Sequence, residues 1–145
     1  MTRTSTYLNF TNKTEEAFLF YREAFQSSFV EPGFRRFRDI PPAEGQPPMP
    51  ETVANLVMHV ELPITGGHVI MGTDAPPEMG FSVVQGNQVS LNVEPDSRAE
   101  ADRLFHALSE GGTEIMPMQE QFWGAYFGGC TDRYGIRWMI NCYAK

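Results

Sequence analysis

The sequence predicts an α+β protein made of two copies of one strand–helix–three-strand unit. Two amphipathic stretches, near residues 14–25 and 98–108, recur at helical spacing. Each follows one short β-branched or aromatic run and precedes several more. Clusters of Pro and Gly punctuate the chain where strands must turn. A length of 145 residues suffices for one packed domain with internal symmetry, with module one at 1–75, a linker at 76–87 and module two at 88–145.

The first strand is expected over residues 4–10, where Leu8 and Phe10 alternate beside Tyr7. Asn12 or Thr14 caps the helix that follows, with Glu15 and Glu16 at the positive end of its dipole. Ala17, Phe18, Tyr21, Ala24 and Phe25 form its apolar stripe over 14–25. Residues 28–37, with Phe29, Val30, Phe34 and Phe37 around Pro32-Gly33, read as a bent or bulged strand. Five prolines within 39–50 make a long loop, because proline neither donates to a ladder nor continues a helix. Residues 54–62 and 68–73 flank Thr65-Gly66-Gly67 and read as a hairpin.

The second half repeats this order. Residues 89–93 are a strand, Ser97-Arg-Ala-Glu100 is a capping box, and Ala101, Leu104, Phe105 and Leu108 stripe a helix that Gly111-Gly112 ends. Residues 113–118, a loop with Trp123, a strand near 125–131, a turn at 132–135 and a strand at 136–142 complete it. Leu8-Asn9-Phe10 maps onto Leu91-Asn92-Val93 at an offset of 83, and Val69-Ile70-Met71 onto Ile136–Ile140 near 68. The difference matches the Pro-rich loop, which the second half lacks.

Composition narrows the function. A net charge of −7 without a Lys/Arg run repels phosphate backbones, so nucleic acid is not an expected partner. No apolar run reaches the ~18 residues of a membrane span. The segment Met1-Thr-Arg-Thr-Ser-Thr-Tyr7 lacks the apolar core of a secretory signal, and cytoplasmic residence is expected. Cys130 and Cys142 are too few for a disulfide framework and read as buried structural thiols.

The segments Tyr7-Leu-Asn-Phe10, Glu15–Phe25, Gly112–Met118, Gln121-Phe-Trp-Gly-Ala-Tyr-Phe-Gly128 and Asp132-Arg-Tyr-Gly-Ile-Arg-Trp-Met-Ile-Asn-Cys142 resemble the PhnB-like branch of the glyoxalase/bleomycin-resistance (vicinal oxygen chelate) superfamily. The resemblance implies paired βαβββ modules curled into a half-open mixed barrel around a cavity, with helices outside, usually in a homodimer. Enzymes of that superfamily hold a divalent metal with His, Gln or Glu ligands from the first and last strands of each module. The positions that correspond here are Thr6, Met71, Gln88 or Ser90, and Met139. Two thioethers where acids are needed cannot hold Zn, Mn, Mg or Fe(II), so no metal and no other cofactor is expected. PhnB-like sequences are often labelled ubiquinone-pathway methyltransferases, but no strand here leads through a Gly-rich turn into a helix, as a nucleoside cofactor would need.

The expected function is therefore small-molecule binding without a catalytic metal. The alternative is a metal-dependent lyase, dioxygenase or resistance enzyme in which His59, Glu61 and His68, carried on the hairpin strands, form a non-standard site. Ligand-lining candidates are Asn9, Met71, Ser90, Trp123, Tyr126, Met139 and Asn141, set around the aromatic and Met-rich segment Phe122-Trp123 to Phe127. The resemblance alone implies the homodimer.

Overall fold

In the computed structural model, which describes residues 2–145, the chain divides into two compact units, Met1–Val84 and Gln85–Lys145. Met1, with which the expected first module begins, lies outside the described residues. The first unit runs β1 (Thr6–Phe10), α1 (Thr14–Phe25), β2 (Arg35–Arg36), a short helix α2 (Glu51–Ala54), β3 (Val57–Pro63) and β4 (Val69–Asp74). The second runs β5 (Leu91–Val93), α3 (Arg98–Ser109), β6 (Thr113–Glu120), β7 (Tyr126–Thr131) and β8 (Arg137–Cys142). The sheets have the same topology, β1-β4-β3-β2 and β5-β8-β7-β6, each with one parallel pair between its first and last strands.

In each unit one helix covers one face of the sheet. Ala17, Phe18, Tyr21 and Ala24 of α1 are buried, and the Phe18 ring lies over Gly72 of β4 so closely that a Cβ there would overlap it. Phe18 stacks edge-on with Phe10 and Tyr21 at centroid separations of 6.4 and 5.6 Å. Burying each such ring contributes about 1.5–3 kcal/mol. In the second unit Ala101, Leu104, Phe105 and Leu108 are the buried face of α3, and Trp138, Ile140 and Cys142 are the buried set of β8. The α3 start is half of a capping box: the Ser97 hydroxyl accepts from the Glu100 N–H at 3.1 Å, while the Glu100 carboxylate turns to Arg103 at 2.6 Å.

The N-terminus of α1 departs from expectation. Neither Asn12 nor a side chain at the N-cap, Lys13, closes it. Asp74, buried at the end of β4, accepts from the Thr14 N–H at 3.0 Å and the Thr14 hydroxyl at 2.8 Å. Its other oxygen accepts from the Val57 N–H at 2.8 Å, so one carboxylate joins α1, β3 and β4.

The bent strand expected over 28–37 is reduced to Arg35–Arg36. Pro32 cannot donate and Gly33 stands at φ 89°, and upstream of β2 the Val30 N–H donates to the Glu61 carbonyl of β3 at 3.0 Å. The hairpin forms as expected, with Gly66 and Gly67 at positive φ in its turn.

Strand registers refine the internal match. Tyr7 lies opposite Met71 and Asn92 opposite Met139, so equating the two methionines equates Tyr7 with Asn92. That is two residues from the Leu8–Leu91 match, a shift that leaves every side chain on its own face.

Candidate functional site

Side-chain alternation decides which residues share the helix-free face of each sheet. In β1, Leu8 and Phe10 go under α1, which leaves Tyr7 and Asn9 on the other face, both exposed. The ladders extend that face through Met71 and Thr73 of β4 to His59 and Glu61 of β3, since Tyr7 pairs with Met71 and Met71 with Glu61.

These residues form a continuous polar chain. Glu61 Oε2 accepts from His59 Nε2 at 2.9 Å, and the Tyr7 hydroxyl stands 3.1 Å from His59 Nδ1. With Nε2–H given to the carboxylate, Nδ1 is the free lone pair and the Tyr7 hydroxyl donates to it. Arg3 Nη2 lies 3.2 Å from the other Glu61 oxygen. The hydrogen bond from His59, then Arg3, holds the Glu61 carboxyl below the usual carboxylate range. Burial raises the Tyr7 hydroxyl above its ordinary value, Thr73 lowers it and the Glu61 charge raises it, so Tyr7 stays neutral. The Ser5 hydroxyl, at 3.7 Å, points its proton to the Met71 thioether.

The sequence pairs His59 with His68, but the fold separates them. His68 shares the parity of Ile70, which is buried under α1, and its Nε2 is 2.8 Å from the Thr6 hydroxyl. Thr6 likewise shares the parity of Leu8 and Phe10, so the residues of β1 flanking Met71 on the helix-free side are Ser5 and Tyr7. A one-residue error in strand register moves a side chain through the sheet. Tyr7 and Arg3 are functional candidates that sequence reasoning misses. Alternation with Leu8 and Phe10 could have marked Tyr7, whereas Arg3 needs the register.

In the second unit the helix-free face carries Asn92, Met139, Asn141, Phe127 and Gly129, paired along β5, β8 and β7. The Asn141 amide donates to the Asn92 side-chain oxygen at 2.6 Å, and Asn92 donates to Glu94 at 3.0 Å. Ser90 precedes β5 with the parity of Asn92, and the Met116 methyl covers the space above Gly129. Trp123, in the β6–β7 turn, meets Phe122 and Phe127 at ring separations of 5.1 and 6.4 Å. The sequence groups Tyr126 with these residues, yet the ladder puts it on the helix face. Its hydroxyl donates to Asp102 of α3 at 2.6 Å, and Arg98 lies over its ring. Trp138 also leaves the aromatic group, buried with its indole N–H on Asp132 at 2.8 Å.

Two βαβββ units with first and last strands parallel define the class: this is the glyoxalase/bleomycin-resistance fold. Residues 2–141 match the family described as 3-demethylubiquinone-9 3-methyltransferase, and the chain belongs to that PhnB-like family. It is similar to protein PA1353 from Pseudomonas aeruginosa, with 32% identity, a TM-score of 0.81 and full coverage of both chains. The PhnB protein from Bacillus cereus is 28% identical at a TM-score of 0.74, over 97% of this chain and 99% of that one. Protein YjdN from Escherichia coli (strain K12) is 29% identical, over 94% of this chain and 92% of the relative.

The donors present do not fit the groups that the fold and family imply. At the positions that the resemblance gives for ligands, Met71 and Met139 carry soft neutral sulfur, whereas a hard or borderline dication needs oxygen or imidazole. Glu61 is already matched by Arg3, whose charge opposes a cation at the same carboxylate. No cluster of three or more His, Cys, Asp or Glu suited to a metal occurs among the described residues. The strand-to-helix turns at 11–13 and 94–97 carry no glycine, so they do not fit a nucleoside cofactor cradle either. No helix among the described residues is long and apolar enough to cross a membrane.

Proposed function

We propose that the protein is a small-molecule-binding member of its superfamily that works without the divalent metal, as a cytoplasmic homodimer. The carrying observation is the pair Met71 and Met139, which stand at corresponding ladder positions, one in each unit, where an acid would be needed for a metal. Thioethers are polarisable and adapt to apolar or planar ligands. In the first unit Asn9 shares the face of Met71, and in the second Ser90, Asn92 and Asn141 supply neutral donors and acceptors on the face of Met139, with Trp123 and Phe127 supplying ring surface. Apolar surface with a few fixed polar groups orients a ligand.

A thermal-shift screen of the full chain against a metabolite panel and against Zn, Mn and Mg salts tests this. A ligand at a hundred times its Kd stabilises the native state by about 2.7 kcal/mol. At least one organic metabolite is expected to raise Tm, and the metal salts are not. A rise with a dication and none with any metabolite contradicts the assignment, and light scattering that gives a monomer mass contradicts the dimer.

A further inference from the structure

The row Tyr7–His59–Glu61 has the form of a nucleophile, a base and an orienting acid. Tyr7 Oη is 3.1 Å from His59 Nδ1, His59 Nε2 is 2.9 Å from Glu61 Oε2, and Arg3 at 3.2 Å fixes the remaining carboxylate oxygen. The components come from two non-adjacent strands, with Met71 of β4 between Tyr7 and Glu61 in the ladder. Tyr7 is 48% exposed as a residue, while the His59 and Glu61 side chains are only 25% and 23% exposed and are held by their partners. Among the described residues Arg3 bonds to Glu61 at the end of this row, and Arg35 of β2 stands at the ladder position opposite His59. Hydrogen-bonded arrangements of this kind activate hydroxyl nucleophiles whatever fold carries them.

We propose that Tyr7 is a base-activated hydroxyl that reacts with activated acyl compounds, with His59 as its general base and Glu61 and Arg3 as positioning residues. Tyr7 Oη attacks the acyl carbon and a C–O bond forms. The phenolic proton passes to His59 Nδ1, whose imidazolium is stabilised by the Glu61 carboxylate. The bond to the leaving group breaks, the leaving group departs with the bonding pair, and the histidine returns the proton to it. This site goes beyond the ligand-binding reading, since it requires neither the native ligand nor the residues of the second unit.

The test exposes the full chain to p-nitrophenyl acetate and maps acetylated tyrosines by peptide mass spectrometry. The chain has five tyrosines, and Tyr143, 58% exposed, is the internal standard for an unactivated phenol. General-base assistance by a positioned side chain is worth about 10²–10⁴-fold, so Tyr7 is expected to acetylate at least about tenfold faster than Tyr143. His59→Gln is expected to bring Tyr7 down to the Tyr143 rate, and Glu61→Gln to slow it by less. Equal rates for Tyr7 and Tyr143 in the unaltered protein overturn the proposal with no variant needed. So does a folded His59→Gln protein in which Tyr7 keeps its advantage. A thermal-shift screen without hits, beside rapid Tyr7 acetylation, would refute only the ligand-binding reading.

Discussion

Replacing Asp74 by Asn tests how the first unit is held together. The carboxylate receives three hydrogen bonds at 2.8–3.0 Å in a site where Asp74 is 4% and Thr14 0% exposed. An amide keeps one accepting oxygen for Thr14 but sets an N–H₂ against the Val57 N–H, so one buried donor loses its partner and another gains none. A hydrogen bond to a charged group is worth about 1.5–3 kcal/mol, and an orphaned buried donor costs about 1–3 kcal/mol. Relief of carboxylate desolvation offsets part of this. The net is about 2–3 kcal/mol, which at roughly 2–4 °C per kcal/mol for a chain of this size lowers Tm by about 4–12 °C. Urea denaturation followed by circular dichroism measures the loss, and amide hydrogen exchange locates it. The Thr14 and Val57 amides are expected to lose protection first. A change within about 0.5 kcal/mol, the scale of an ordinary surface substitution, would refute the three-way tie.

Gly72→Ala places a methyl in the Phe18 ring, itself fully buried, and is expected to cost about 1–3 kcal/mol in the same denaturation assay. Cys130 and Cys142 are buried, and burial with the nearby Asp132 charge pushes the Cys130 thiol up to about 12. Both should therefore resist a thiol reagent at pH 8 until the protein unfolds, as counted by labelled mass. Glu61 titrates below its ordinary 4.5 in the folded chain, so the unfolded state binds more protons in that range. Its contribution is complete above pH 4.5 and is lost as pH falls through the depressed folded value. Glu61→Gln should flatten that acid limb of stability against pH.

Much of the architecture was legible because it is written in local period. The stripes Ala17-Phe18-Tyr21 and Ala101-Leu104-Phe105-Leu108, the Gly66-Gly67 turn and the order of elements all reappear in the fold. What local period cannot encode is pairing across sequence. The α1 cap comes from Asp74, 60 residues beyond Thr14, while the local candidates Asn12 and Thr14 fit every composition rule for a cap. The site was partly legible for the same reason. His59 and Glu61 share a face by their spacing of two, but Tyr7 joins them only through the β1–β4–β3 register. Thr6, His68 and Tyr126 carry suitable chemistry and fall on the opposite faces, because a strand gives alternate residues opposite destinations.

The metal content of the full chain, purified without chelator and dialysed, tests the central assignment most directly. Met71 and Met139 in place of acids, with Arg3 on Glu61, imply well under one Zn, Mn or Fe ion per chain by elemental analysis. One tightly held ion per chain that survives dialysis would contradict it.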